Sequence, residues 1–450
     1  MTDLRRLLGE GKPIFGTDGV RGAAGSELTP ELALEIGRAA GSYLRGGPVL
    51  VGMDTRRSGS MLSGALQAGF HAVGIDTVDV GILPSGGISH LTSKSGATMG
   101  AVVSASHNPA DDNGIKFLTG TGAKLADEVE RQIEATILST STRSAYGPGI
   151  GMRLVDEDAT ERYVDHIAGL ARYQLSGLEI ALDCANGAAY RAAPMVFEKL
   201  KADVMILAAE PDGTNINLGC GATHPEMLAE AADGRLGLAF DGDADRLIAV
   251  DESGAVANGD VIMAIIARHL KSQGKLAKNM VVTTVMSNLG FRKSMAEAGI
   301  QMVETRVGDR YVMEGLVGHS AMFGGEQSGH IIFLDHGQTG DGLLTAVRLL
   351  DVVAGTGKSL EQLRAEAITE YPQVLVNIEV GRSADIDGAV DLWDAVTVVE
   401  EEIGDEGRVL VRPSGTEPLL RVMVEASSIQ AATEYADRLA RVASSTLGKG

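Results

Sequence analysis

Three stretches of this chain repeat one pattern, and that repeat constrains the fold more than any other feature. Each is a short apolar run, a polar turn, a helical periodicity and a second apolar run. Residues 49–54 predict a strand, followed by a helix over 61–73 and a strand over 77–80. Residues 178–183, 189–200 and 204–207 predict the same succession, as do 280–285, 291–298 and 302–305. The turns carry Asp54-Thr55-Arg56, Ala185-Asn186-Gly187 and Ser287-Asn288-Leu289. Buried strands alternating with helices favour parallel or mixed sheets covered on both faces. A fourth segment beyond Tyr371-Pro372 reads differently. Strands are expected there over 374–380, 396–403, 408–411 and 419–425, with a terminal helix over 429–444. The expected fold is therefore α/β, with three similar mixed α/β domains and a C-terminal α+β domain. The expected boundaries are 1–152, 153–254, 255–369 and 370–450.

At 450 residues the chain exceeds what one hydrophobic core holds. Its 58 glycines are about twice the usual share, which points to many tight turns and close backbone approaches. Aromatic residues are only 4%, too few for base-stacking platforms. A net charge of −21 argues against nucleic acid and anionic membranes as partners. The same charge would repel a phosphorylated substrate, so basic residues would have to reverse the potential locally. Cys184 and Cys220 lie far apart with no CxxC, which fits a reducing compartment. With no apolar leader at Met1–Arg6 and no apolar run of membrane-spanning length, a cytoplasmic protein is expected.

Four loops carry candidate chemistry. The apolar run Met99–Val103 ends in Ser104-Ala105-Ser106-His107-Asn108-Pro109, which presents hydroxyls and an imidazole at a rigid turn. Alone, the hexapeptide fits a Ser/Asn turn closed by proline equally well. Asp241-Gly242-Asp243-Ala244-Asp245-Arg246 sits between two apolar runs, and three alternating carboxylates can converge on one hard cation. With Glu252 they also match EF-hand spacing, but Arg246 stands where that loop needs glycine and the flanks read as strands. Gly324-Gly325-Glu326-Gln327-Ser328-Gly329-His330 combines a carboxylate, a hydroxyl and an imidazole suited to a sugar, with His330 a candidate general acid/base. Arg412-Pro413-Ser414-Gly415-Thr416-Glu417-Pro418, with Arg421 nearby, combines guanidiniums, hydroxyls and a glycine suited to an anion. Gly308-Asp309-Arg310-Tyr311 is a further candidate substrate loop.

Taken in order, the loops FGTDGVRG, SASHNP, DGDADR, GEQSGH and RPSGTEP resemble those of the α-D-phosphohexomutase superfamily over essentially the whole chain. VGDRYV at 307–312, PDGTNIN at 211–217 and His224-Pro225-Glu226 are most similar to the branch that acts on glucosamine phosphates. Small departures are a longer lead before Phe15, CGATHPE where CGSTHPE is commoner, and Asp335-His336-Gly337-Gln338. The resemblance implies four domains around a central cleft and one Mg²⁺ per chain. It implies a phosphoserine at Ser106 rather than Ser104, with Asp241, Asp243 and Asp245 binding Mg²⁺ together with its phosphate. Arg21, Lys116 and Arg246 would be cations near the transferring group, with His107 alongside. Glu326 and Ser328 resemble sugar-hydroxyl readers, and Arg412, Ser414, Gly415, Thr416 and Arg421 a clamp for the distal phosphate.

The implied reaction interconverts glucosamine 6-phosphate and glucosamine 1-phosphate, with glucosamine 1,6-bisphosphate as intermediate and activator. The expected partner is thus a small hexosamine phosphate, with neither nucleic acid nor membrane, and a homodimer is compatible with the sequence. Mannose or glucose phosphates on the same fold remain open. So do a non-catalytic sugar-phosphate-binding protein and a Mg²⁺-dependent phosphatase.

Overall fold

The computed structural model describes residues 8, 10–11, 13–16, 18–139, 144–381, 385–413 and 419–448. Thr17 and, in the anion loop, Ser414, Gly415, Thr416, Glu417 and Pro418 lie outside the described residues. The chain forms two compact units, Met1–Met286 with Ile300–Ala367, and Ser287–Gly299 with Ile368–Gly450.

Among the described residues the first unit holds three sheets of seven, five and four strands, and all three contain the same four-strand arrangement. In the first sheet Val49–Met53 pairs in parallel with Thr77–Ile82 on one side and Met99–Val103 on the other. Asp112–Thr119 then returns antiparallel beside Met99–Val103. In the second sheet Glu179–Asp183 lies parallel to Asp203–Leu207 and Leu236–Phe240, and Leu247–Val250 returns antiparallel. In the third, Met280–Thr284 lies parallel to Gln301–Thr305 and Phe323–Gly325, and Ile331–Phe333 returns antiparallel. The chain is an α/β protein with three similar mixed sheets.

The repeat places three of the chemistry-bearing loops alike. Each follows the third parallel strand and precedes the antiparallel return. Residues 104–111, 241–246 and 326–330 all occupy that position. The return strand in the first sheet starts at Asp112, inside what the sequence reads as loop, because Asp112 and Asn113 pair with Ala23 and Gly22. That pairing brings in Gly19–Ala23, the second arm of a hairpin with Phe15–Gly16.

Helices pack closely on this framework. Pro30–Tyr43 starts at a proline, with the Thr29 hydroxyl accepting from the Leu32 amide at 3.2 Å. It crosses Gly59–Ala72 where Gly37 and Gly69 meet. A Cβ on Gly37 would lie 2.1 Å from the Leu66 carbonyl oxygen, and one on Gly69 2.2 Å from that of Leu34. Only glycine permits that approach. Helix Ser85–Ser95 meets Ala159–Leu170 through the stacked rings of His90 and His166, whose centroids are 3.5 Å apart. Among the described residues no helix is long and apolar enough to cross a membrane.

In the second unit Leu419–Glu425 is the central strand of an antiparallel sheet, between Gln373–Glu379 and Arg408–Pro413. The strand expected over 396–403 is not formed, since those residues end the helix Val390–Ile403. Their β-branched composition suggests a strand locally. However, Leu392, Val396, Val399 and Ile403 recur at helical spacing and join one core with Ala436, Leu439 and Ala443 of the helix Ile429–Leu447. Burial of that stripe outweighs the modest intrinsic preference.

Two predictions follow from this packing. Val399 is fully buried whereas Val398 is 41% exposed. Val399→Ala should therefore cost about 2 kcal/mol in denaturant unfolding followed by Trp393 fluorescence, and Val398→Ala less than about 0.5 kcal/mol. Equal costs would be incompatible with the helical face.

The second concerns His90, whose burial, aided by His166, Lys94 and Arg162, lowers its pKa from 6.5 to about 4. The folded chain then binds fewer protons than the unfolded chain as pH falls from 6.5 towards 4, so stability is lost through that window. His90→Phe keeps a ring in the stack and removes the titration. It should melt with a flatter acid limb between pH 6.5 and 4.5, and an unchanged slope would refute the assignment.

Candidate functional site

Ser106 is held in a turn that differs from an ordinary strand end. Its φ is +52°, a left-handed conformation that costs a non-glycine residue on the order of 1 kcal/mol. The turn is tied internally. The Ser106 amide donates to Ser104 Oγ at 2.9 Å, and that hydroxyl donates to Asp54 Oδ2 at 2.6 Å. The Ser104 hydroxyl is thus occupied as donor and acceptor. The Ser106 hydroxyl instead donates to Asp241 Oδ2 at 2.6 Å, which brings the first sheet's loop onto the second's.

Asp241, Asp243 and Asp245 alternate in the tip between Leu236–Phe240 and Leu247–Val250, where Ala244 takes a φ of +57°. One carboxylate oxygen from each lies within 4.8 Å of the others, and all three residues are buried. Asp243 is held by Lys116 Nζ at 2.9 Å and by the Ser85 hydroxyl at 2.6 Å. Lys116 also lies 3.6 Å from Asp245, and Arg246 Nε is 4.0 Å from Asp241 and 3.9 Å from Asp245. Burial, then repulsion by Asp245 and Asp243, raises the pKa of Asp241 well above the carboxylate range. Burial works the same way on Asp243, but Lys116 and the Ser85 hydrogen bond outweigh it and hold this carboxyl low. Lys116 is correspondingly held as a cation, since Asp243, Asp18 and Asp245 overcome its burial.

These donors fit a hard divalent cation. The site consists only of carboxylate oxygens, and Asp243 Oδ1 and Asp245 Oδ1 are buried without a hydrogen bond. Glu252 belongs elsewhere, because its carboxylate accepts from the Leu360 and Glu361 amides at 3.1 and 3.0 Å. The EF-hand reading fails on that placement.

The third loop docks on the second. The Leu247 amide donates to the Gly329 carbonyl at 3.1 Å, and Arg246 and His330 form an isolated antiparallel bridge. His330 Nε2 accepts from the Gly340 amide at 3.2 Å and lies 3.9 Å from Asp245 Oδ2. In that arrangement a neutral ring presents its proton at Nδ1, which is buried without a partner. Beside it opens a cavity of about 180 Å³ lined by Lys124, Asp309, Arg310, Gln338 and Thr339. Glu326 is turned to the neighbouring loop, where its Oε1 accepts from the Gly308 amide at 2.9 Å. Ser328 is exposed.

The remaining expected residues of this unit gather nearby. Arg21 pairs with Asp18 and lies 3.4 Å from Asn108 Oδ1, and Lys124 bridges Asp18 and Asp309 at 3.3 and 3.4 Å. Despite its burial, Asp18 is held low by Lys116, Lys124 and Arg21. His107 Nδ1 is 3.5 Å from Ser106 Oγ, and burial, reinforced by Arg246 and Arg21, lowers its pKa to about 4. In the second unit Arg412 and Arg421 are opposite partners on adjacent strands. Burial, then the Arg421 charge, lowers the Arg412 pKa.

Sequence reasoning missed Ser85 and gave Arg56 and Asn217 no role. Ser85 has little local signature, standing after Pro84 at a helix start. Arg56 had one available signal, a buried strand ending in Asp54-Thr55-Arg56, where a guanidinium needs partners.

A test of the electrostatics is to remove the Lys116 charge. Lys116→Met leaves buried carboxylates uncompensated and should cost about 3 kcal/mol in chelator. Millimolar Mg²⁺ should raise the melting temperature of the variant more than that of the parent chain. Equal shifts would show that Lys116 and a cation do not share these carboxylates.

Sequence models of four successive domains match this chain. Phosphoglucomutase/phosphomannomutase alpha/beta/alpha domains I, II and III match residues 12–144, 161–254 and 258–371, and the C-terminal domain of the same family matches 375–442. The phosphoglucosamine mutase of Desulforamulus reducens is 49% identical over 440 residues, covering 95% of this chain and 98% of that protein. That of Bacillus subtilis is 46% identical over 443 residues, covering 96% and 99%. Among solved structures, a phosphoglucomutase/phosphomannomutase family protein from Burkholderia thailandensis superposes with a TM-score of 0.80 at 28% identity, covering 96% of this chain and 97% of that one. The Aspergillus fumigatus N-acetylphosphoglucosamine mutase, in complex with GlcNAc-6P and magnesium, shares the fold with a TM-score of 0.67 at 17% identity, covering 99% of both.

Proposed function

This chain belongs to the phosphoglucomutase/phosphomannomutase family, and from that premise we propose that it interconverts glucosamine 6-phosphate and glucosamine 1-phosphate through a phosphoserine at Ser106. The observation that carries the serine assignment is the 2.6 Å hydrogen bond from Ser106 Oγ to Asp241, one of three clustered buried carboxylates. The amino sugar is favoured over mannose or glucose by the names of relatives 46–49% identical across the whole chain.

In the forward direction O1 of glucosamine 6-phosphate attacks the Ser106 phosphorus. The P–Oγ bond breaks and Oγ gains a proton, while a P–O1 bond forms and O1 loses its proton. The resulting 1,6-bisphosphate turns end over end, and Ser106 Oγ gives up its proton and takes the 6-phosphoryl group as the P–O6 bond breaks and O6 gains a proton. The same bisphosphate reloads a serine that has lost its phosphate. His107 is the imidazole able to take and return the proton, whereas His330, its Nε2 occupied by the Gly340 amide, offers a donor at Nδ1 rather than a base.

Lys116, Arg246 and Arg21 bring positive charge to the transferring group, countering the net charge of −21. Asp241, Asp243 and Asp245 would hold Mg²⁺ with a phosphoserine oxygen, and the ion would neutralise charge on the phosphoryl group. Glu326 and Ser328 read sugar hydroxyls in this reading. Arg412 and Arg421, with Ser414, Gly415 and Thr416, grip the phosphate that is not reacting. Arg412 and Arg421 are opposite partners on adjacent strands, a register that sets two guanidiniums side by side, as a doubly charged anion requires.

A homodimer belongs to the same reading. Arg153–Val155 is an edge strand of the seven-stranded sheet, and Met152, Leu154 and Val155 are at least half exposed on it.

The test is intact mass and peptide mapping of the purified protein, then Ser106→Ala assayed with Mg²⁺ on glucosamine, mannose and glucose 6-phosphates. Phosphate should be found on Ser106, glucosamine 6-phosphate should be the preferred substrate, and the variant should lose on the order of 10⁴-fold or more in turnover. An unphosphorylated Ser106 and an active alanine variant would overturn the reading. Preference for another sugar would overturn the substrate alone. Steady phosphate release without isomer would favour the phosphatase.

A further inference from the structure

The phosphoserine turn is gripped through its carbonyls by two side chains from different parts of the first unit. The Ser106 carbonyl accepts from Arg56 Nη2 at 2.9 Å and from Asn217 Nδ2 at 2.9 Å. The Asn108 carbonyl accepts from the same two groups, at 2.8 and 3.2 Å. Only the amide nitrogen of Asn217 can face two carbonyl oxygens, so its orientation is fixed by chemistry.

Arg56 is 3% exposed and has no donor left over. Its Nε donates to Asp54 Oδ2 at 2.9 Å, and Nη1 donates to the Asp112 carbonyl at 2.9 Å and to that of Pro109. With the two bonds of Nη2, all five N–H groups of the guanidinium are engaged. This arginine is therefore bound to backbone rather than offered to a phosphate.

Asn217 ends the PDGTNIN stretch and carries a φ of +57°. Its amide donates to the Ala185 carbonyl at 2.9 Å, which anchors it beside the second sheet. Gly242 of the acidic loop closes the same space. A Cβ there would lie 2.5 Å from the Ser106 carbonyl oxygen and 2.8 Å from Asn217 Nδ2.

We propose that Asn217 and Arg56 are positioning residues for the phosphoryl-carrying serine. They lock the peptide plane that follows Ser106, while Ser104 Oγ locks the plane that precedes it. Both backbone torsions of Ser106 are then set from outside the residue, and its side-chain torsion is what remains free. The Ser106 Cβ keeps one place relative to Asp241 whether Oγ carries a proton or a phosphoryl group. The inference rests on the phosphoserine reading above. Arg56 ties the turn to the first sheet, and Asn217 ties it to the second, where the carboxylates are.

Asn217→Gly retains the left-handed backbone and removes both donors, and Asn217→Asp retains the shape while removing the donors. With phosphoserine and turnover first established on the parent chain, kcat, KM, melting temperature and the rate of phosphate loss from Ser106 to water are measured for each. Asn217→Gly should lower kcat by about 10–100-fold with KM changed less than about twofold, because a misplaced reacting atom loses rate rather than binding. Its phosphoserine should hydrolyse at a rate different from the parent's, its melting temperature should stay close to the parent's, and Asn217→Asp should be no more active.

Parent-like kcat and phosphoserine lifetime in Asn217→Gly would overturn the proposal. So would full activity in the aspartate variant, or a loss of rate that tracks a fall in melting temperature and is recovered on cooling, since either would mean a packing role. A parent chain with no phosphate on Ser106 would remove the phosphoserine reading, and this inference with it. That result is distinguishable because it precedes any variant.

Discussion

Asp241, Asp243 and Asp245 repel one another where water does not reach, and the centre of the first unit is arranged to relieve that repulsion. Each relief comes from a different element. Lys116 projects from the return strand of the first sheet, Ser85 from a helix start, Ser106 from a strained turn and Arg246 from the acidic loop itself. The result is uneven. Asp243 is held as an anion by Lys116, whereas Asp241, facing a serine hydroxyl and two other carboxylates, is pushed towards its neutral form. A divalent cation reverses that preference, since it takes the place of the proton. Asp241 is thus the carboxylate that such a cation and the Ser106 hydroxyl would share.

Much of this arrangement was legible in the sequence, for physical reasons that differ by element. The central strands of the first unit, such as Val49–Met53, Met99–Val103 and Leu236–Phe240, are short, apolar and buried on both faces, so composition alone marks them, and the polar turns between them break the pattern sharply. The acidic triplet was legible as a cluster because alternate carboxylates between two apolar runs fall on a short loop whose ends are buried. Reading 396–403 as a strand failed because a run of β-branched residues records local preference, while the buried stripe Leu392, Val396, Val399, Ile403 is visible only when the helix begins several residues earlier. Choosing Ser106 over Ser104 rested on resemblance. In the structure the Ser104 hydroxyl is committed to Asp54 and to the Ser106 amide, while the Ser106 hydroxyl faces Asp241.

What the sequence could not show is convergence. Ser85, Arg56 and Asn217 lie 21, 50 and 111 positions from Ser106 in the chain, yet each bears on Ser106 or on the carboxylates beside it. Their neighbours' composition marks only Arg56, which closes a buried strand. Long-range contacts of this kind are set by how strands pair and loops dock, which local periodicity does not encode.

The shared place of the three loops has a consequence for how such a protein can change. A hairpin tip lies outside the ladder, so its residues are released from the alternation that strand pairing imposes, while its two ends are held at fixed separation by the arms. One scaffold position therefore carries a serine hydroxyl in the first sheet, three clustered carboxylates in the second, and a carboxylate and an imidazole in the third. Exchange of one tip leaves the strand registers where they were, but it has to keep the bonds by which the tips hold one another, from Ser106 to Asp241 and between Arg246 and His330. Different side-chain chemistries are thereby written on separate pieces of one repeated frame and fitted to each other at their ends.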